Sequence, residues 1–114
     1  MKKLILPVLL AVASVALLAA DVSGTWNAAV VLDVGSGTAV FTFQQTGEAF
    51  TGTYSGTLGE AKIAGTVKGD QVEWSFTSDQ AGKVSYKGTL NGARIQGTTE
   101  YGALGKGTFT AEKK

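Results

Sequence analysis

Two tryptophans and three tyrosines are the side chains of this 114-residue chain best suited to recognising a ligand. Each joins a flat apolar ring to one hydrogen-bonding atom, the combination that lines small-molecule pockets. Trp26, Tyr54, Trp74, Tyr86 and Tyr101 all stand at positions that period-two alternation assigns to the inner face of a sheet. They are the candidate ligand-binding residues, for a small apolar or amphipathic molecule. Core packing is the simpler account of the same pattern, because Phe41, Phe43, Phe50, Phe76 and Phe109 fall on that face too.

Reactive groups are scarce. The chain has no His and no Cys, which removes the imidazole and thiolate ligands of zinc and copper sites. It also removes Ser-His-Asp and Cys-His hydrolases. A glycosidase needs two carboxylates flanking one cleft. Here Asp33, Glu48, Glu60, Asp70 and Asp79 lie in or beside turns, while Glu73 and Glu100 face outward. The run Asp33 to Gly37, DVGSG, has the glycines of a calcium or phosphate loop but neither the further acids of the first nor the lysine of the second. The expectation is a protein that is not an enzyme, with no catalytic residue, no metal site and no cofactor.

The elements that position the aromatic residues are short strands. FTFQQTGEAFTGTYSGTL, Phe41 to Leu58, reads as two strands about a turn at Thr46-Gly47-Glu48. Val22 to Asp33 is expected to be the strand before it, closed by a turn at Gly35-Ser36-Gly37. After it come strands at Ala61 to Lys68, Gln71 to Thr77, Lys83 to Leu90, Ala93 to Tyr101 and Lys106 to Ala111. Gly69-Asp70 and Asn91-Gly92 are two-residue hairpin signals. Glu112-Lys113-Lys114 reads as a fraying charged end.

Eight strands with short connections favour pairing between sequence neighbours. No segment reads as a helix that could cover the apolar face, so the sheet is expected to close on itself, which also removes its edges. The predicted fold is all-β, an eight-stranded antiparallel up-and-down (meander) barrel of calycin-like type. A two-layer sandwich is the alternative. The dipeptide Gly-Thr recurs, as at Gly52-Thr53, Gly65-Thr66, Gly88-Thr89, Gly97-Thr98 and Gly107-Thr108. Its glycines fall at inward positions, where they permit a sharp bend or close approach of another layer. Room for a ligand is the other reading of them.

Residues 1–20 carry a different signal. Lys2 and Lys3 precede an apolar run, Leu4 to Leu18, that ends in Ala19-Ala20. This is the pattern of a secretory signal peptide cleaved after Ala20. The run is shorter than the roughly 20 residues that span a bilayer, and Pro7 interrupts it. The expected mature protein is a single domain, residues 21–114, exported to the periplasm or the extracellular space, with no membrane span. Without Lys2 and Lys3 its ten basic residues become eight, against nine acidic ones, with the signs interspersed. A nucleic-acid binder would need a basic stripe, and none is present.

Three short motifs carry a family resemblance. Gly24-Thr25-Trp26, Thr51-Gly52-Thr53-Tyr54 and Thr108-Phe109-Thr110 resemble, in the same strand order, the avidin and streptavidin family. Members of that family are eight-stranded up-and-down barrels that bind biotin at one open end. The resemblance implies that Trp26 stands at the barrel base and that Tyr54 contacts the ligand's ureido oxygen. It also sets Ala28, Gly56 and Gly107 where the family has asparagine, serine and aspartate, so most of the polar cage for biotin is missing. Asp21 to Trp26, the hairpin Ile63 to Val72 and the end Gly107 to Lys114 are similar to a group of uncharacterised small secreted bacterial β-barrel domains. Two functions follow. One is a binding module holding a small apolar ligand. The other is a structural or protein-interaction domain with a filled core, docking through its Thr-rich outer face or loop ends.

Overall fold

The structure is a computed structural model that describes residues 20–114. The segment read as a signal peptide lies, but for Ala20, outside the described residues. Eight strands follow one another: β1 (Gly24–Leu32), β2 (Gly35–Thr46), β3 (Ala49–Gly56), β4 (Gly59–Lys68), β5 (Gln71–Ser78), β6 (Gly82–Asn91), β7 (Arg94–Tyr101) and β8 (Lys106–Lys113). A single 3₁₀ turn, Gly102–Leu104, separates the last two. Every strand pairs antiparallel with its sequence neighbour. β1 also pairs with β8, from Trp26 opposite Lys113 to Leu32 opposite Gly107. The sheet is thereby a closed up-and-down barrel, and the sandwich is excluded. No helix among the described residues is long and apolar enough to cross a membrane.

Alternation explains the wall. Along β5 Val72, Trp74, Phe76 and Ser78 are buried, while Gln71, Glu73 and Thr77 are exposed. All ten aromatic residues of the chain lie inside, none more than 6% exposed. They fill an eight-stranded barrel, whose bore is just wide enough for side chains. The rings of Trp74 and Tyr86 stack with centroids 5.0 Å apart, and Phe41, Phe43 and Phe109 meet the tryptophan edge-on at 5.0 to 5.5 Å.

The inward glycines serve close approach. A Cβ at Gly52 would overlap the carbonyl oxygen of Thr42, one at Gly97 that of Lys87, and one at Gly107 that of Val31. Backbone of the neighbouring strand, not ligand space, occupies the place of their side chains.

Several boundaries differ from the sequence reading, four of them with consequences for the barrel ends. Val22 is not part of β1; it is fully buried as a stopper of the barrel end, and Trp26 Nε1–H donates to its carbonyl at 2.9 Å. The β1–β2 turn is Asp33-Val34, and Gly35-Ser36-Gly37 already belongs to β2. Asn91 pairs with Arg94, so the turning residues there are Gly92-Ala93, with Gly92 at φ +64°. The C-terminus does not fray. Glu112 and Lys113 continue β8, the Arg94 guanidinium donates to Glu112 at 2.8 Å, and the Lys113 ammonium lies 5.9 Å from the Trp26 ring centroid. The backbone N–H groups of Lys113 and Lys114 donate to Ala93 and Thr25.

Candidate functional site

The two barrel ends are built differently. At one end the chain enters. Gln45 ties this segment down: its Oε1 accepts the Val22 N–H at 2.7 Å, and its amide donates to the carbonyls of Ala20 and Gly47 at 2.8 Å. Val22 and Trp26, both fully buried, close that end.

The other end is reached by the β1–β2, β3–β4 and β5–β6 turns and by the 3₁₀ turn after β7. The 3₁₀ turn leans across it, held by Ala103 N–H donating to Ala81 O at 3.0 Å and Tyr101 N–H donating to Gly105 O at 2.7 Å. A cavity of about 200 Å³ remains at this mouth. Its apolar wall is Val30, Leu32, Val34, Leu58 and Leu104, and its polar groups include the tyrosines Tyr54 and Tyr101. Val34 stands at the lip, 72% exposed.

Three tyrosines converge behind this wall. Tyr54 stacks on Phe76 at 4.2 Å, and its hydroxyl accepts the Leu58 N–H at 3.2 Å. Gly56 leaves room for that hydroxyl, since a Cβ there would stand 2.6 Å from it. Tyr86 and Tyr101 share a hydrogen bond between their hydroxyls. Thr99, buried opposite Tyr86, donates to the Ser85 carbonyl at 2.8 Å. Burial pushes the Tyr86 phenol far above its ordinary range, and the neighbouring Tyr101 adds to the effect. Burial likewise pushes Tyr101 up to about 12, against a smaller opposing contribution from its bond to Tyr86. Both are neutral phenols at physiological pH, able to donate and accept but not to act as bases.

The structure therefore divides the five candidate residues. Tyr54 and Tyr101 line the mouth, and Tyr86 touches it through the Tyr101 hydroxyl. Trp74 sits in the filled middle of the barrel. Its Nε1–H is the one buried side-chain nitrogen or oxygen among the described residues without a hydrogen-bond partner, and aromatic rings surround it. Trp26 belongs to the opposite end. Leu32, Val34, Leu58 and Leu104 were not among the candidates. Their signal was present in the sequence: apolar side chains in or beside turns, where polar residues are the rule.

Among the described residues no three His, Cys, Asp or Glu side chains come close enough to hold a metal ion. The positions of the biotin cage offer little room. Gly56 faces the Tyr54 hydroxyl and Gly107 faces the β1 backbone, so neither could carry the larger side chain without displacing its neighbour. No family model and no curated protein sequence matches the chain.

Proposed function

We propose that this protein is an exported structural or protein-interaction module. On this reading the barrel is a rigid carrier of surfaces, it performs no catalysis, and its contacts are made at its ends and outer wall. The observation that supports it most is the interior: Trp74, Tyr86, Phe41, Phe43 and Phe109 occupy the bore in mutual ring contact, where a carrier barrel would keep a cavity.

Native mass spectrometry of the protein from the exported fraction of its own cells tests both halves. The expected mass is that of residues 21–114, or of a multimer of them, with nothing attached. A tightly held adduct whose release changes Trp74 fluorescence would overturn the filled-core reading. Recovery of the uncut chain from the cytoplasm would overturn export.

A second reading is favoured by the mouth. Its cavity is small and shallow, yet it has an apolar wall and two tyrosines, and so suits a weakly held small molecule without any change to the filled core.

A further inference from the structure

We infer that Asn91-Gly92, in the β6–β7 hairpin, is a site of spontaneous covalent modification. The Asn91 amide is lost through a cyclic imide, and the isoaspartate that results loosens the sealed end of the barrel.

The chemistry has three requirements. The backbone nitrogen of the following residue must reach the asparagine Cγ, it must be free to give up its proton, and no side chain can crowd the ring that forms. Asn91, Gly92, Ala93 and Arg94 are all exposed. The ladder between β6 and β7 stops at Asn91 opposite Arg94, and among the described residues none of the turn's backbone hydrogen bonds is donated by Gly92. Gly92 has no Cβ, and the place where one would stand is empty within 4 Å. Asn27, the other asparagine of the chain, is the internal contrast. The residue after it, Ala28, is buried and paired on both sides, with Ala39 of β2 and Ala111 of β8, so its N–H is committed to the sheet.

The step balances with water alone. Hydroxide takes the Gly92 N–H proton, and the nitrogen attacks Asn91 Cγ. The new C–N bond forms as the Cγ–Nδ2 bond breaks, and the amide nitrogen takes a proton from water and leaves as ammonia. Water then opens the imide. Opening at Cγ restores the ordinary peptide link and leaves aspartate at position 91. Opening at the main-chain carbonyl gives isoaspartate, whose backbone runs on through Cγ and is longer by one methylene carbon.

The two products act differently. An aspartate at position 91 stands opposite Arg94, whose guanidinium already donates to Glu112 on an exposed surface where ion pairs count for little. Isoaspartate lengthens one arm of a hairpin whose register is set by its short turn, Gly92-Ala93. The Ala93 carbonyl accepts the Lys113 N–H at 2.8 Å, and the Lys113 ammonium lies 5.9 Å from the Trp26 ring centroid. A lengthened turn therefore disturbs the end of β8 and the tryptophan that closes the barrel.

The folded protein is incubated at pH 7 and at pH 9, and peptide mass spectrometry follows the change from amide to acid at each asparagine. Conversion at Asn91 is expected to be at least about tenfold faster than at Asn27, a barrier difference of about 1.4 kcal/mol, and faster at the higher pH. Asn91→Gln should abolish it, because the longer side chain closes the ring far less readily. The isoaspartate form, separated by ion exchange, should unfold at lower urea than the parent, whereas Asn91→Asp should keep the parent's midpoint. If Asn91 converts no faster than Asn27 in the folded protein and does so only in urea, the hairpin shields its amide and the inference falls. An isoaspartate form with the parent's midpoint would overturn the loosening of the barrel end. These two comparisons start from the unmodified chain, so they decide the matter even if a variant folds poorly.

Discussion

Gly107→Ala should unfold this barrel far more readily than Gly37→Ala, although both changes add one methyl group to β-strand glycines. Neither glycine has a positive φ, so neither is needed for a left-handed backbone. They differ in what the methyl meets. At Gly37 the nearest atom is Thr57 Oγ1, 3.5 Å away, an ordinary contact. At Gly107 the methyl would overlap the carbonyl of Val31 and come within 2.8 Å of Leu32 Cα. That carbonyl belongs to β1, and Gly107 pairs with Leu32 on the β1–β8 seam that closes the barrel. Backbone cannot rotate away as a side chain can, so the seam must open locally. Overpacking costs about 1–3 kcal/mol, and one or two weakened ladder bonds add about 0.5–1.5 kcal/mol each. A loss of about 3 kcal/mol is expected, against a gain of up to about 1 kcal/mol at Gly37 from the stiffer unfolded chain. Urea unfolding of the two variants, with equal m-values, measures the difference. For a domain of this size 3 kcal/mol corresponds to a fall in Tm of about 12–24 °C. If the two variants differ by less than about 0.5 kcal/mol, the close approach of β8 to β1 is not what Gly107 serves.

Tyrosine ionisation gives a pH prediction. Tyr86 and Tyr101 both have folded pKa values above the ordinary 10, that of Tyr101 near 12. The unfolded chain therefore releases these protons first, so their contribution is full below pH 10 and is lost as pH rises towards 12, by at most about 1.4 kcal/mol per pH unit for each tyrosine. Denaturation at pH 9 and 11 should show the fall, and the Tyr86→Phe/Tyr101→Phe double variant should lose it; an unchanged slope in that variant would place the effect elsewhere. Gln45→Ala removes two hydrogen bonds to the entry segment and one to the β2–β3 turn and should cost about 1–3 kcal/mol, with a red-shifted Trp26 emission as Val22 loosens. Arg94→Ala breaks an ion pair whose side chains are 52% and 60% exposed, and its effect on urea unfolding should stay below about 1 kcal/mol.

The wall of the barrel was legible in the sequence because alternation is a local property. Ile63, Val67, Val72, Trp74, Phe76, Val84 and Tyr86 are buried, each at an inward position of the period-two pattern. Closure was legible by argument, since eight strands with one apolar face and no covering helix have few other solutions. The ends were less so. Whether Val22 continues a strand or stoppers the bore depends on Gln45, more than twenty residues away. Lys113 reads as a solvated tail residue until Trp26 is brought beneath it, a contact that exists only because β1 and β8 meet. Turn positions slipped for a local reason: Asn91-Gly92 is the favoured hairpin pair, but register with β7 leaves Gly92-Ala93 to turn. The mouth was missed because Leu58 and Leu104 lie in separate turns, and nothing local says that both face one cavity.

The asymmetry of the two ends limits where this protein can meet other molecules. The filled bore offers no passage, and the entry end is sealed by Val22 and Trp26 and tied by Gln45. The outer wall is polar and mostly threonine, serine and charged side chains, whose exposed Val31 and Val40 stand singly among them. At the mouth, by contrast, apolar side chains, an exposed valine and the Tyr54 hydroxyl occur within one cavity. Phenylalanine would fit the same stack on Phe76 but would leave the Leu58 N–H without its acceptor. A hydroxyl kept there, with Gly56 leaving it room, fastens the β3–β4 turn that borders the mouth.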